Sequence, residues 1–191
     1  MSPKTWLVAG LATIGLAGSL GAAEWLRRFR PDPVELGRAV TEIEGLDLLR
    51  SSLAGTFAIE GAAIDRTTFE QVCRPVGLRA REIAQKNGWQ VSQLAEKYRN
   101  PAHAPDEEAL WAIRLFSEDE GLVGVWRYTR QGDELGARYF RRIVVEGACL
   151  ACHGPKEQRP AFVKEGYPDD RAYDFEVGDL RGVYSVFVPF D

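Results

Sequence analysis

The sequence predicts an α+β domain, and three observations carry that prediction. Apolar residues at helical spacing, in runs that follow capping residues, fill the part of the chain before residue 88. Segments rich in β-branched and aromatic residues, two of them joined by a turn, fill the part after residue 120. Helices therefore come first and antiparallel strands later, without the alternation that would signal a parallel sheet.

Taken in order, residues 6–23 read WLVAGLATIGLAGSLGAA, eighteen residues without a charge behind Lys4. This is a signal peptide, with Gly21 and Ala23 as small residues before the cut, or a membrane anchor just long enough to span a bilayer. Arg27, Arg28 and Arg30 follow it and oppose export of what comes after under the positive-inside rule. Both forms, released and anchored, stay open at this point.

Residues 31–60 are expected to form an N-terminal helix. Asp32 is the N-cap, Pro33 suits the first helical position, and Glu35 stands where a capping-box acid belongs. Leu36, Val40, Ile43, Leu46, Leu49, Leu53 and Phe57 then form one apolar stripe. The domain proper is expected over residues 61–191. Its first helix starts at Asp65, with Phe69, Val72, Val76, Ala80 and Ile83 on one face and Cys73 on that same face. Pro75 lacks an N–H and is expected to kink or break this helix beside Cys73. Asn87-Gly88 supplies the stop.

RNPAHAPD, residues 99–106, is a proline-punctuated loop, and a short helix follows from Asp106 to Phe116. LVGVWRYTR and LGARYFRRIVV flank QGDE as a hairpin, and LRGVYSVFVPF near the C-terminus is a further strand.

With 191 residues, 45% of them hydrophobic, there is material for one core without disulfide staples. The net charge of −4 and the absence of a basic stripe interleaved with aromatics argue against a nucleic-acid partner.

The chain has three cysteines, and two of them stand in EGACLACHGP, residues 146–155, with His153 behind the second. Cys149-Leu150-Ala151-Cys152-His153 is the attachment pattern of haem c. Each thiol adds to one vinyl group, the two-residue gap reaches both porphyrin edges, and the adjacent histidine falls under the iron as axial ligand. A single covalently attached haem c is the expected cofactor. The competing uses of the same residues are a thioredoxin-like redox pair, a zinc site of Cys73, Cys149, Cys152 and His153, and a plain disulfide. The first lacks its βαβ context, and adjacent Cys152 and His153 ligate one tetrahedral ion poorly.

For the other face of the iron, His/Met ligation is excluded because the one methionine is Met1. Bis-histidine ligation would use His103, thiolate ligation would use Cys73, and an open site would use neither. His103 lies in the polar loop and reads as solvated; Cys73, on an apolar face, reads by default as a buried inert thiol.

FEQVC, GWQVSQLAEKYRNPAHAPD, ARYFRRIVVEGACLACHGP and YPDDRAYDFEVGDLRGVYSV, in this order across residues 64–188, resemble a bacterial family of PAS-like c-type haem domains. Members of that family stand alone or serve as extracytoplasmic inputs of sensors. The resemblance implies a PAS-like antiparallel sheet carrying a covalently bound haem. It makes Cys149 and Cys152 the thioether positions, His153 one axial ligand and Cys73 the other, as in a cyanobacterial member with His/Cys ligation. The family often has asparagine where this chain has His103, which keeps the bis-histidine alternative open.

The expected function is low-potential redox or gas sensing outside the cytoplasm, with Cys73 letting go on reduction and a gas such as NO or CO taking its place. The alternative is a c-type electron carrier with His153 and a different or absent sixth ligand. Electron transfer or sensing, rather than substrate turnover, is expected, and no catalytic residue is assigned. The partner is a separate redox or signalling protein, since no output domain fits after Val188. Arg99, Arg127, Arg138 and Arg141 could pair with haem propionates, but surface charge is the default reading for each.

Overall fold

A computed structural model describes residues 32–56 and 64–190. The expectations for residues 6–23 and for Phe57 lie outside the described residues. Among the described residues no helix is long and apolar enough to cross a membrane.

Helix α1 spans Pro33–Gly55, and the Asp32 carboxylate caps it by accepting from Val34 N at 2.8 Å. Glu35 turns to Arg38, 3.0 Å away, instead of closing a capping box. The buried face carries Ala39, Ile43, Leu46, Asp47 and Ala54. Helix α2 spans Arg66–Asn87 behind a capping box between Asp65 and Thr68, and Gly88, at φ +70°, ends it in the left-handed conformation.

Pro75 does not break α2, contrary to expectation. The helix runs through it, held by Val76 and Ile83, which are buried against α1 and the sheet. Packing of that face outweighs the one backbone bond that proline forfeits.

The remaining elements are β1 Gln90–Leu94, α3 Glu107–Glu118, β2 Gly124–Gln131, β3 Glu134–Val144, α4 Leu150–His153, α5 Ala161–Gly166 and β4 Leu180–Pro189. Three short 3-10 turns punctuate them, including Pro101–His103 inside the expected loop. The four strands form one antiparallel sheet in the order β1-β4-β3-β2, so the α+β layout, helices first, is as the sequence predicts.

β2 and β3 make the expected hairpin, with Gln131 opposite Glu134 and Gly132 at φ +59° in the turn. β1 was not foreseen. It is a five-residue edge strand with three polar side chains, too short and too polar to announce itself.

Side-chain alternation sends the two faces of the sheet to two cores. Tyr139, Ile143, Tyr184, Val186 and Val188 face α1 and α2. Leu94, Phe140 and Val183 face Ala109, Ala112, Ile113 and Phe116 of α3. β4 is covered on both sides, which explains its nearly unbroken apolar run. A third, smaller cluster of Val145, Ala172 and Phe175 lies beyond the sheet's end, with Cys149 and Leu150 packed on it. That satellite core carries the site.

Candidate functional site

β3 ends at Val144, and Val145 N bonds to Asp179 O at 2.9 Å, tying the segment after β3 to the segment before β4. The chain then winds into a 3-10 turn at Gly147–Cys149 and into α4, so Cys149 and Cys152 stand about one helical turn apart. Gly154 terminates α4 abruptly. A Cβ there would lie 2.6 Å from Leu150 O, and Gly154 N bonds to that same carbonyl at 2.8 Å, so only glycine allows so tight an exit.

The three cysteines are free thiols, Cys149 and Cys152 half-buried and Cys73 exposed. The inert buried reading of Cys73 is thereby overturned: its position on α2 turns the thiol outward from Val76 and Ile83. Enough protein surrounds the sulfur, even so, that burial first and the neighbouring Cys152 charge second push it up to about 11, against the pull of Arg99 and Arg50. Cys73 therefore stays protonated at neutral pH until a cation compensates it. Burial raises Cys152 as well, with Arg99 opposing. Phe69, one helical turn before Cys73 on α2, meets Phe162 and Tyr167 with ring centroids 6.1 and 6.4 Å apart, which brings that end of α2 to the segment that follows α4.

His153 is half-buried by surface area, yet its ring lies deep enough that burial drives its pKa well below the usual value, with Arg181 and Arg99 pushing the same way. The ring is held by Nδ1, 2.8 Å from the carbonyl of Ala172. A carbonyl only accepts, so Nδ1 carries the proton and Nε2 keeps its lone pair. Nε2 makes no hydrogen bond among the described residues. The Phe175 ring stands edge-on to the imidazole with centroids 6.1 Å apart.

Arg99 and Asp170 frame this histidine. Arg99 Nη2 donates to Cys152 O at 2.8 Å, and its Nε reaches Asp170 at 3.4 Å. Asp170, with a fully buried carboxylate, also binds Arg159 at 2.8 Å and accepts from Ala172 N at 2.9 Å, fixing the loop that offers its carbonyl to His153. On the other side, Arg50 of α1 reaches Glu146 at 2.9 Å and Cys149 Sγ at 3.7 Å, bracing the start of the motif against Asp47.

Among the described residues no three His, Cys, Asp or Glu side chains gather closely enough to hold a bare ion, so the four-ligand zinc arrangement is not formed. The donor set suits a larger group instead: two unpaired thiols for thioether bonds, a neutral imidazole with an available Nε2, and a third thiol on α2. His103 lies in the turn whose carbonyl takes Ala95 N at the end of β1; burial and then the nearby Arg181 push its pKa down, and no hydrogen bond links its ring to the thiols among the described residues.

Arginine was misjudged in the sequence. Arg138 is 4% exposed and bonded to Ser185, Asp106 and Glu108; Arg141 grips Glu44 and Asp47; Arg99 belongs to the site. Arg50, Asp170 and Arg181 were missed, having no motif around them to mark them.

A family model described as Tll0287-like matches residues 36–189. The crystal structure of the cyanobacterial heme-protein Tll0287 is similar to this chain at 50% sequence identity and a TM-score of 0.75, covering 83% of this chain and 97% of that one. No curated protein matches.

Proposed function

Since the chain belongs to the Tll0287-like family, as its motifs led us to expect, we propose that it is an extracytoplasmic haem c protein for low-potential redox or gas sensing. The observation that carries this reading is the state of His153: neutral, oriented through Nδ1, and with Nε2 available directly behind two free thiols. That a 50% identical relative is a heme-protein supports it.

In this reading Cys149 and Cys152 would hold the group by thioether bonds, and His153 Nε2 and the Cys73 thiolate would ligate its iron. The haem, when bound, supplies a one-electron redox centre and a position for a small ligand. Every other part of the task falls to the polypeptide. Ala172 O and Asp170 hold the imidazole in one tautomer and one orientation. Arg99 and Arg50 lie near enough to favour the Cys73 thiolate, while burial opposes it, so the thiolate depends on ferric charge. Cys73 would be the residue that takes a proton and lets go when that charge falls. A gas such as NO or CO would then take the vacated position. Export follows the segment at residues 6–23, either released or anchored, and the signal passes to a separate redox or signalling protein.

The test is production with the haem c maturation machinery. Mass spectrometry of the denatured protein should show one haem retained by the wild type and none by Cys149→Ala/Cys152→Ala. The reduced wild type should then bind CO at the iron. Haem released by denaturation, or ferrous protein that refuses CO, would contradict the attachment or the sensing reading respectively.

A further inference from the structure

Near His153 two guanidinium groups share one carboxylate and a third has none among the described residues. Arg99 and Arg159 both lean on Asp170, at 3.4 and 2.8 Å. Arg181, at the start of β4, has no carboxylate within ion-pair distance among the described residues. It donates from Nη1 to Lys97 O at 2.9 Å and lies over the Phe175 ring at 5.4 Å, the same ring that meets His153 edge-on. Glu96 and Asp179 line the hollow of about 280 Å³ that Arg181 also lines, yet neither reaches it. Arg181 is thus a guanidinium that no carboxylate of the described residues pairs, beside a Lys97 that lies over the same Phe175 ring at 4.5 Å.

A half-buried cation without a counter-ion is costly. The cost is visible here, since burial and then the like charge of Arg99 pull Arg181 down to about 10. Such an arrangement persists when an anion from outside the chain completes it. Guanidinium is the side chain whose fork matches a carboxylate.

We propose that Arg181, with Arg99 beside it, is a carboxylate receptor, and that its anions are the two carboxylate arms of the haem itself. This inference rests on the haem reading above. It makes Arg181 a positioning residue for the group that His153 would hold. A free dicarboxylate from solution offers the same chemistry, so the experiment separates the sources.

Holoprotein, with haem attachment verified by mass, is compared as wild type, Arg181→Leu, Arg181→Gln and Arg181→Lys, with Arg130→Leu on the hairpin as control. Resonance Raman reads the deformation band of the haem carboxylate arms, which responds to their hydrogen bonding. The band should shift in Arg181→Leu or Arg181→Gln, stay near wild type in Arg181→Lys and be unmoved in Arg130→Leu. The reduction potential should fall when the cation is removed and recover with lysine. In parallel, wild-type chain without haem is titrated with succinate by calorimetry, and so is holoprotein. Binding by the former and none by the latter supports the assignment. A Raman band unmoved in both the leucine and glutamine variants overturns it, as does succinate binding to holoprotein that is lost with Arg181. If no haem attaches at all, the haem reading fails separately, and absence of succinate binding to the haem-free chain then overturns the receptor as well.

Discussion

Ala172 accepts the Nδ1 proton of His153 at 2.8 Å through its carbonyl, and the same residue's N–H is bound to Asp170 at 2.9 Å. One residue therefore connects a buried carboxylate to the imidazole. The orientation of His153 is set by backbone, and the backbone is set by Asp170, which in turn is held by Arg99 and Arg159.

Replacing Asp170 by asparagine keeps the shape and removes the charge that two arginines share. Loss of one partner from a buried ion pair costs about 3–5 kcal/mol, and the partial exposure of both arginines puts this case at the lower end, about 3 kcal/mol. Urea unfolding of the chain without haem should show it as a lowered midpoint with an unchanged slope. A loss below about 1 kcal/mol would mean that Asp170 does not organise the site.

Gly154→Ala should disturb the motif's exit. The new methyl would lie 2.6 Å from a backbone oxygen, which cannot rotate aside. Overpacking of this kind costs about 1–3 kcal/mol. The yield of covalently attached haem should drop along with the urea midpoint; an unchanged yield would show that α4 can end another way.

His153 gives the chain without haem a pH dependence whose sign is fixed. Its folded pKa lies well below the unfolded value of about 6.5, through burial first and Arg181 and Arg99 next. Between those two values the unfolded chain binds more protons, so stability rises with pH across that window. The penalty is absent above about pH 6.5 and complete below the folded pKa. Urea midpoints at pH 7 and pH 5 should therefore differ more for wild type than for His153→Gln. Equal differences in the two proteins would remove burial of the ring as the cause.

Cys73 tests the chemistry of the other side. In a Cys149→Ala/Cys152→Ala background without haem, its exposed thiol should still alkylate slowly at pH 8, because burial, the first cause that raises its pKa, remains when the two neighbouring thiols are gone. The rate should climb as the pH is raised above 8. Reaction at the rate of a free cysteine at pH 8 would show that the protein does not hold the proton on.

Much of this site was readable before any coordinates. CxxCH is a local pattern, so Cys149, Cys152 and His153 could be picked out from five consecutive residues. The caps of α1 and α2 and the β2–β3 hairpin are local for the same reason: Asp32, Asp65, Gly88 and Gly132 act on their immediate neighbours. What escaped depends on long-range packing. Pro75 sits within an unbroken helix because α2 is pressed onto α1 and the sheet, and β1 exists because β4 offers it an edge. Arg99, Asp170 and Arg181 come from three separate segments, and their meeting around His153 has no signature at any one of them. The thiol of Cys73 shared a predicted face with Phe69, but how much of that face is covered depends on how α2 sits on its neighbours.

The most direct measurement is low-temperature EPR of the ferric holoprotein beside Cys73→Ala. Ligation by His153 and Cys73 predicts a low-spin thiolate signal in the wild type that disappears in the variant. An identical signal in both proteins would contradict it, leaving His103 or another ligand opposite His153 and the electron-carrier reading in front.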